Sequence, residues 1–236
     1  MPCNVILLEH TPRPDGLVAA AARMCYSDMG ARELVARVAE ETDEARERFL
    51  AGLWKSGHHS PLEHASFTFG VDGLSRVASH QLVRHRMASF SQQSQRYVKM
   101  GQSGDAAVVT PPSISSNQRT LDIFRRQAEA SLAAYEELCK IGVPAEDARF
   151  ILPHGWETRL VFTMNARELQ HFFALRLCRR AQWEIQNLAR QMLKLVRAAA
   201  PLLFRVSGPS CVTGTCSEVH PCGRRYADME DLLSQK

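Results

Sequence analysis

The sequence predicts an α+β fold with a small mixed or antiparallel sheet and long helices. Two observations predict it. A few short segments alternate apolar and polar residues as strands do, while longer stretches repeat apolar residues at helical spacing. The two kinds of segment do not follow the regular strand–helix–strand order of a parallel sheet. At 236 residues and 45% hydrophobic composition the chain can bury a substantial core. No repeat or linker divides it, so it reads as one domain, 1–207, followed by a Cys-rich tail, 208–236.

Each element has a local reason. Val5 to Leu8 is a short apolar run before the turn residues Thr11-Pro12-Arg13-Pro14 and reads as the opening strand. Leu17 to Met24 is Ala-rich and helical. Thr42 is placed to cap a helix whose apolar residues Ala45, Phe49, Leu50 and Leu53 share a face and which stops near Gly57. A polar turn, His58 to His64, follows. Ala65 to Val71 reads as a strand with Phe67, Phe69 and Val71 on one face, broken at Asp72-Gly73. Ser75 to Val83 returns to helix.

Gly101 to Ser116 reads as loop with a short strand near Val108. Asn117 to Ile141 is a long helix striped by Leu121, Phe124, Ala128, Leu132, Tyr135 and Leu138, and Gly142 ends it. Pro144 starts a short helix carrying Glu146, Asp147 and Arg149. Thr158 to Met164 is the next strand. Asn165 caps the following helix, with Glu168 three residues on in a capping-box arrangement. Ala181 to Ala199 is amphipathic through Ile185, Leu188, Met192, Leu195 and Val196, and Pro201 ends it.

Charge and cysteine usage narrow the function. A formal net charge of +4 argues against a bulk nucleic-acid coat and leaves room for a local basic pocket. No apolar stretch approaches membrane-span length, and Met1-Pro2-Cys3-Asn4 does not open a secretory leader. Seven cysteines, four of them (Cys3, Cys25, Cys139, Cys178) scattered singly, suggest a reduced, cytoplasmic chain. There is no Gly-x-Gly-x-x-Gly after a strand and no phosphate-loop lysine motif.

The stretch Arg84 to Tyr97 stands out. It holds three arginines, one histidine, three serines and three glutamines, and reads as a loop too polar for core. Guanidinium is a planar fork of donors that matches phosphate two bonds at a time, and hydroxyls and amides can complete such a cradle. A solvated charged loop is the plainer alternative. A second polar cluster comprises Asn165, Arg167, His171, Arg176, Arg179 and Arg180. Arg167 and His171, four apart, share a helix face, while Arg176 falls about half a turn out of phase. Three imidazoles in the His58–His64 turn match no metal-ligand spacing. Cys211, Cys216, His220 and Cys222 could be zinc ligands, although their spacing is not that of a standard knuckle. Arginines around Cys178 could lower its pKa, yet nothing in the sequence makes it a nucleophile.

Arg84-His85-Arg86, seven further residues and then Ser94 form a pattern that resembles the flavin-dependent thymidylate synthases. Around it Gly57-His58, Ser60-Pro61, Glu63-His64 and Phe67-Thr68-Phe69 look like the family's preceding block. Gly142-Val143-Pro144, Ala148-Arg149, Leu152-Pro153, Asn165-Ala166-Arg167, Leu175-Arg176 and Ala181 to Ile185 look like its later blocks, in order. The resemblance covers roughly residues 5 to 200. It implies reductive methylation of dUMP to dTMP, with methylenetetrahydrofolate as carbon donor and FAD carrying hydride from NADPH. It also implies a homotetramer whose active sites are shared between chains.

Residue by residue, the resemblance assigns Ser60, Arg84, His85, Arg86, Gln92, Asn165, Arg167 and His171 to FAD. It assigns the run Gln81, Leu82, Val83 and Arg84, the run Gln92, Gln93, Ser94, Gln95 and Arg96, and Arg149 and Arg176 to dUMP. His58 resembles a residue near flavin and folate, and Arg176 the arginine that polarises the uracil ring. No metal and no protein nucleophile is expected. Some relatives have Glu at Gln92, Asn at His171 and His at Arg180, so a basic role for Gln92 and a flavin contact for Arg180 are open. Two other classes compete. A nucleotide- or RNA-binding module without turnover would need stacking aromatics, and only Phe90 and Tyr97 are near. A zinc-stabilised structural protein would be organised by the tail.

Overall fold

The computed structural model describes residues 3–101, 107–212 and 214–235. Residues 102–106 of the expected Gly101–Ser116 loop, residue 213 of the tail, and 1–2 and 236 at the ends lie outside them. The fold is α+β. In chain order the elements are β1 (Asn4–His10), α1 (Pro14–Met24), α2 (Ala31–Ala39), α3 (Asp43–Lys55), β2 (Ser66–Ser75), α4 (Arg76–Leu82) and β3 (Ala88–Gln92). Then come α5 (Pro112–Ser115), α6 (Gln118–Lys140), α7 (Ala145–Ala148), β4 (Glu157–Asn165), α8 (Ala166–Arg176), α9 (Trp183–Ala199) and α10 (Met229–Ser234). The strands form one antiparallel sheet in the order β1-β2-β4-β3.

The caps explain where the helices start and stop. Thr42 Oγ1 accepts from the Ala45 N–H at 3.3 Å. At the other end of α3, Gly57 takes φ 75°. Its N–H bonds the Trp54 carbonyl and the His58 N–H bonds the Leu53 carbonyl, the paired closure of a Schellman motif. Ser75 Oγ accepts from Ala78 N at 3.0 Å and starts α4. Asn117 Oδ1 accepts from the Arg119 and Thr120 N–H groups and starts α6.

The structure departs from the sequence reading at several places, among them α5 in the stretch read as loop and α10 in the tail. Asp72-Gly73 does not break β2, which runs on to Ser75 with Gly73 at φ 73°. The polar stretch after Arg86 is not all loop: Ala88 to Gln92 is strand β3, paired to β4. Helix α2 carries only two buried apolar residues, Leu34 and Val38, too few for a periodic signal.

The chain forms two compact units. One draws its described residues from 1–4, 71–84 and 91–160, the other from 5–70, 85–90 and 161–236. In the first, Met100, Leu132, Tyr135, Ala148, Leu152 and Trp156 form a core under α6. The Met100 N–H bonds the Tyr135 hydroxyl at 3.3 Å, so a buried donor is satisfied. In the second, Phe67, Phe173 and Phe204 meet edge to face with ring centroids 5.4–6.0 Å apart. Phe162 stacks on Phe69 and on Phe90 of β3. Helix α9 buries Ile185, Leu188, Met192 and Val196 completely. Among the described residues no helix is long and apolar enough to cross a membrane.

Gly101 is a point where packing and backbone coincide. It has φ 78°, and an added Cβ would lie 2.5 Å from Leu132 Cδ1 in the α6 core. Gly101→Ala combines a left-handed alanine with overpacking and should destabilise by about 2–4 kcal/mol. Gly142→Ala, at φ 97° with open space around it, should cost about 1–2 kcal/mol. Denaturant midpoints of the two variants measure the difference, and equal losses would show that Leu132 yields freely.

Candidate functional site

Helix α8 begins on a cap. Asn165 Oδ1 accepts from the Glu168 N–H at 2.9 Å, as the spacing predicts. The carboxylate of Glu168, however, is bonded elsewhere. Glu168, Phe172 and Arg176 recur every four residues and so run along one side of α8. The His85 ring lies against that side. Its Nδ1 is 2.8 Å from Glu168 Oε1, its face meets the edge of Phe172 at 4.9 Å, and its Nε2 accepts from Arg176 Nε at 3.0 Å.

The bonding fixes the proton on the ring. A guanidinium only donates, so Nε2 must be unprotonated. A carboxylate only accepts, so Nδ1 must carry the hydrogen. His85 is 5% exposed. Burial lowers its pKa, Arg176 and His171 lower it further, and Glu168 opposes them. The net lowering favours the neutral ring. Arg176 is half-buried, and burial also pulls its pKa down from the arginine value.

A second side of α8 is exposed and carries Arg167 and His171, so the helix has two basic sides as the spacing predicts. Arg167 pairs with Glu63, both partly solvated. The His171 ring is 5.8 Å from His85. Ser60 opens the 3₁₀ turn Ser60–His64 with its side chain exposed. His58 meets the edge of Tyr26 at 5.9 Å, while His59 stacks on Trp54 at 4.2 Å. Arg86 is exposed and, among the described residues, has no ion-pair partner.

The unit built on α6 holds the other candidates. Helix α4 is pinned at its start by Arg76 N and Val77 N donating to the Trp156 and His154 carbonyls. It presents Gln81 half-buried, Leu82 fully buried, Val83 at the surface, and then Arg84, exposed and without an ion-pair partner among the described residues. Gln92 Nε2 donates to Thr158 Oγ1 at 3.2 Å across β3 and β4, and Gln93 N donates to the Arg159 carbonyl. Ser94 Oγ accepts from Arg96 N at 3.2 Å and keeps its own proton for another acceptor. Gln95 beside it is half-buried.

Arg96 and Arg149 converge on α7. Arg96 Nε pairs with Glu146 Oε2 at 2.7 Å, and Arg149 Nε donates to the Glu146 carbonyl at 3.0 Å. Arg76 adds a third guanidinium. Its pKa is lowered by burial and then by the charge of Arg149. Arg149 thus lies close enough for its charge to act on Arg76.

The tail covers the far end of α8. Cys178, Cys211, Cys216 and Cys222 line a cavity of about 350 Å³. Burial raises the Cys178 thiol, with Glu218, Cys222 and Cys211 adding to the rise. The expectation that nearby arginines could lower it is therefore corrected: burial dominates, and only a backbone hydrogen bond at Arg180 works the other way. Those arginines are engaged. Arg180 bonds Glu218 and the His220 carbonyl, and Arg179 bonds Asp231 and Gln235 and lies over the Tyr226 ring. Among the described residues no group of three or more His, Cys, Asp or Glu is placed to hold a metal ion.

Three contributors escape the sequence reading. Glu168 passes there as a capping residue, Arg76 as one residue of a helix, and Thr158 as a strand residue. A carboxylate in helical phase with buried Phe172 is the one signal that singles out Glu168.

Comparison with known proteins identifies the family. Residues 6–202 match the family model described as "Thymidylate synthase complementing protein". A "Flavin-dependent thymidylate synthase" of Geobacter sulfurreducens is 53% identical over 98% of both chains. The protein of the same name from Clostridium tetani is 46% identical over 98% of this chain and 97% of its own. Among solved structures, a UMP/dUMP methylase, PolB, from Streptomyces cacaoi bound with 5-Br dUMP superposes with TM-score 0.74. It is 26% identical and covers 86% of this chain and 93% of its own. The chain thus belongs to the thymidylate synthase complementing protein family, together with these flavin-dependent thymidylate synthases.

Proposed function

We propose that the chain methylates dUMP to dTMP reductively. The one-carbon unit comes from methylenetetrahydrofolate, FAD is the cofactor, and NADPH is the reductant. Carbon C5 of uracil loses a proton and gains a methylene unit plus a hydride. The observation that carries this reading is Arg176, a half-buried guanidinium whose Nε is held on a neutral imidazole. The names of relatives 46–53% identical over nearly the whole chain support it, as does the dUMP analogue in the PolB structure.

The donor set suits a flavin dinucleotide. Arg84 and Arg86 offer exposed guanidiniums to a diphosphate. Ser60, Asn165, Arg167 and His171 add hydroxyl, amide, guanidinium and imidazole groups. His85 fits less well as a direct ligand, because both ring nitrogens are bonded within the chain. Gln92 is likewise bonded to Thr158, and a neutral amide cannot serve as a base. When bound, FAD supplies the hydride chemistry; the protein supplies binding and orientation.

For dUMP, the phosphate falls to Arg96, Arg149 and the Ser94 hydroxyl, with Gln93 and Gln95 beside Ser94 in sequence and Gln81 on α4. Arg96 would exchange its exposed partner Glu146 for phosphate. That costs little, since such surface pairs contribute about 0–1 kcal/mol. Arg176 opposes the negative charge that builds on the uracil ring, an oxyanion-hole role. His58 faces flavin or folate in this reading. The assembly is a cytoplasmic homotetramer with shared sites, for which the two basic sides of α8 give a reason.

A visible spectrum of the purified protein, a light-scattering mass and a dTMP assay test the whole reading. Flavin bands, four chains per particle and dTMP formed only with methylenetetrahydrofolate and NADPH are expected. A colourless protein that binds dUMP without turnover would replace it with the binding-module reading.

Arg176→Lys keeps the charge but loses the planar fork. Its kcat should fall on the order of a hundredfold, since one well-placed donor is worth about 3 kcal/mol. A wild-type rate in the lysine variant would remove Arg176 from the chemistry.

No side chain serves as nucleophile in this reading. The Cys178 thiol is raised and faces the tail cavity. Ser94 accepts from a backbone N–H, and activation would need a base in hydrogen-bond reach. Cys178→Ser and Ser94→Ala should both turn over, with Ser94→Ala raising KM for dUMP. A covalent protein–dUMP adduct at either residue, found by mass spectrometry, would show the opposite.

A further inference from the structure

We infer that Glu168, acting through His85, is a positioning residue for Arg176: the carboxylate fixes the ring tautomer, and the tautomer fixes the guanidinium. This rests on the dUMP-methylating reading above and adds a residue that nothing else assigns to the site.

The argument is one of donors and acceptors. Arg176 Nε–H needs an acceptor, and Nε2 of His85 is 3.0 Å away. An imidazole can offer Nε2 as acceptor only in the Nδ1–H tautomer or as an anion. In solution the two neutral tautomers interconvert freely. Here Glu168 Oε1, 2.8 Å from Nδ1, accepts only, so the Nδ1–H form is the one that satisfies both neighbours. The ring cannot swing away, because it is 5% exposed and rests on Phe172. The three α8 residues involved are each four apart, so one helix sets all the distances. A carboxylate that orients an imidazole is a familiar catalytic arrangement. Here the imidazole orients a guanidinium instead of activating a nucleophile.

Protonation breaks the chain of bonds. The charged and titratable groups acting on the ring are Glu168, His171 and Arg176, all on α8. Its sequence neighbours Arg84 and Arg86 are exposed. Because the ring pKa is lowered from 6.5, the neutral ring persists as pH falls through 6.5 and is lost only below it. Below that lower pKa, Nε2 carries a proton and repels Arg176. The acid limb of kcat should therefore lie below pH 6.5.

Nitrogen NMR of the wild-type chain reads the tautomer without any assay. A bare Nε2 and a protonated Nδ1 at pH 7.5 are expected, and an Nε2–H ring would overturn the inference. The kinetic arm uses Glu168→Gln, whose amide can either accept from or donate to Nδ1 and so no longer selects the tautomer. Its kcat should fall at least about tenfold with the dUMP dissociation constant unchanged. The acid limb should move to lower pH, because the group that opposed the lowering is gone. In a His85→Gln background the same substitution should add almost nothing, since its effect passes through the ring. Wild-type kcat and pH profile in Glu168→Gln, or losses that add fully, would overturn the inference. If that variant does not fold, Glu168→Asp keeps the acceptor at a shorter reach. It should retain the wild-type tautomer with a smaller rate loss, and an Nε2–H ring with unchanged kcat would count against the role. A wild-type protein that makes no dTMP defeats the proposed function while the NMR arm still reads the tautomer.

Discussion

A neutral imidazole holds this site together. Glu168 and Arg176 have opposite charges, and both are partly removed from water. Isolated charges there would be costly, and leaving one unpartnered costs several kcal/mol. His85 bridges them with one donor and one acceptor, so the group is neutral overall and each polar atom in the bridge is bonded. The bridge also commits the backbone. The residue after Arg84 must turn inward while Arg84 and Arg86 stay at the surface. The motif therefore alternates out, in, out. Its two arginines are exposed and the histidine between them is buried.

This division puts one short motif in two environments. The outward guanidiniums bring charge, which in water needs no support. The inward imidazole brings geometry, which needs a dry environment and fixed neighbours. A lysine could replace the charge of either arginine in part. Nothing but histidine combines a lone pair and a hydrogen on opposite edges of one rigid ring.

Much of the fold was legible because the signals were local. Alternation at Phe67, Phe69 and Val71 identified β2, and Thr42, Asn117 and Asn165 marked helix starts through bonds within their own turns. Strand β3 was not legible. Ala88-Ser89-Phe90-Ser91-Gln92 has one large apolar residue, and its strand form depends on pairing with β4 and on Phe90 meeting Phe162. Gly73 misled for a related reason. Positive φ usually marks a turn, but pairing carries β2 through it. At the site, the arginines were legible as donors and the resemblance gave them roles. The partner of His85 was not. Glu168 lies 83 positions away in sequence, and its capping position offered a sufficient local explanation that hid the tertiary one.

The C-terminal end of α8 shows how the tail enters the same logic. A helix end leaves its last carbonyls without intrahelical partners. Here the Leu177 carbonyl accepts from the Tyr226 hydroxyl, and the Cys178 carbonyl from Gln186 Nε2. Tyr226 is almost fully buried and lies under the Arg179 guanidinium, which reaches on to Asp231 of α10. The family match ends at residue 202, yet the Geobacter sulfurreducens relative aligns over 98% of the chain. The tail is thus no loose appendage in composition or in packing. It closes the turn that follows Arg176, while His85 holds the side chain itself. A guanidinium at a helix C-terminus already benefits from the helix dipole. Fixing the turn below it and the ring beside it reduces the remaining freedom of the side chain, the kind of preorganisation that the proposed role of Arg176 requires.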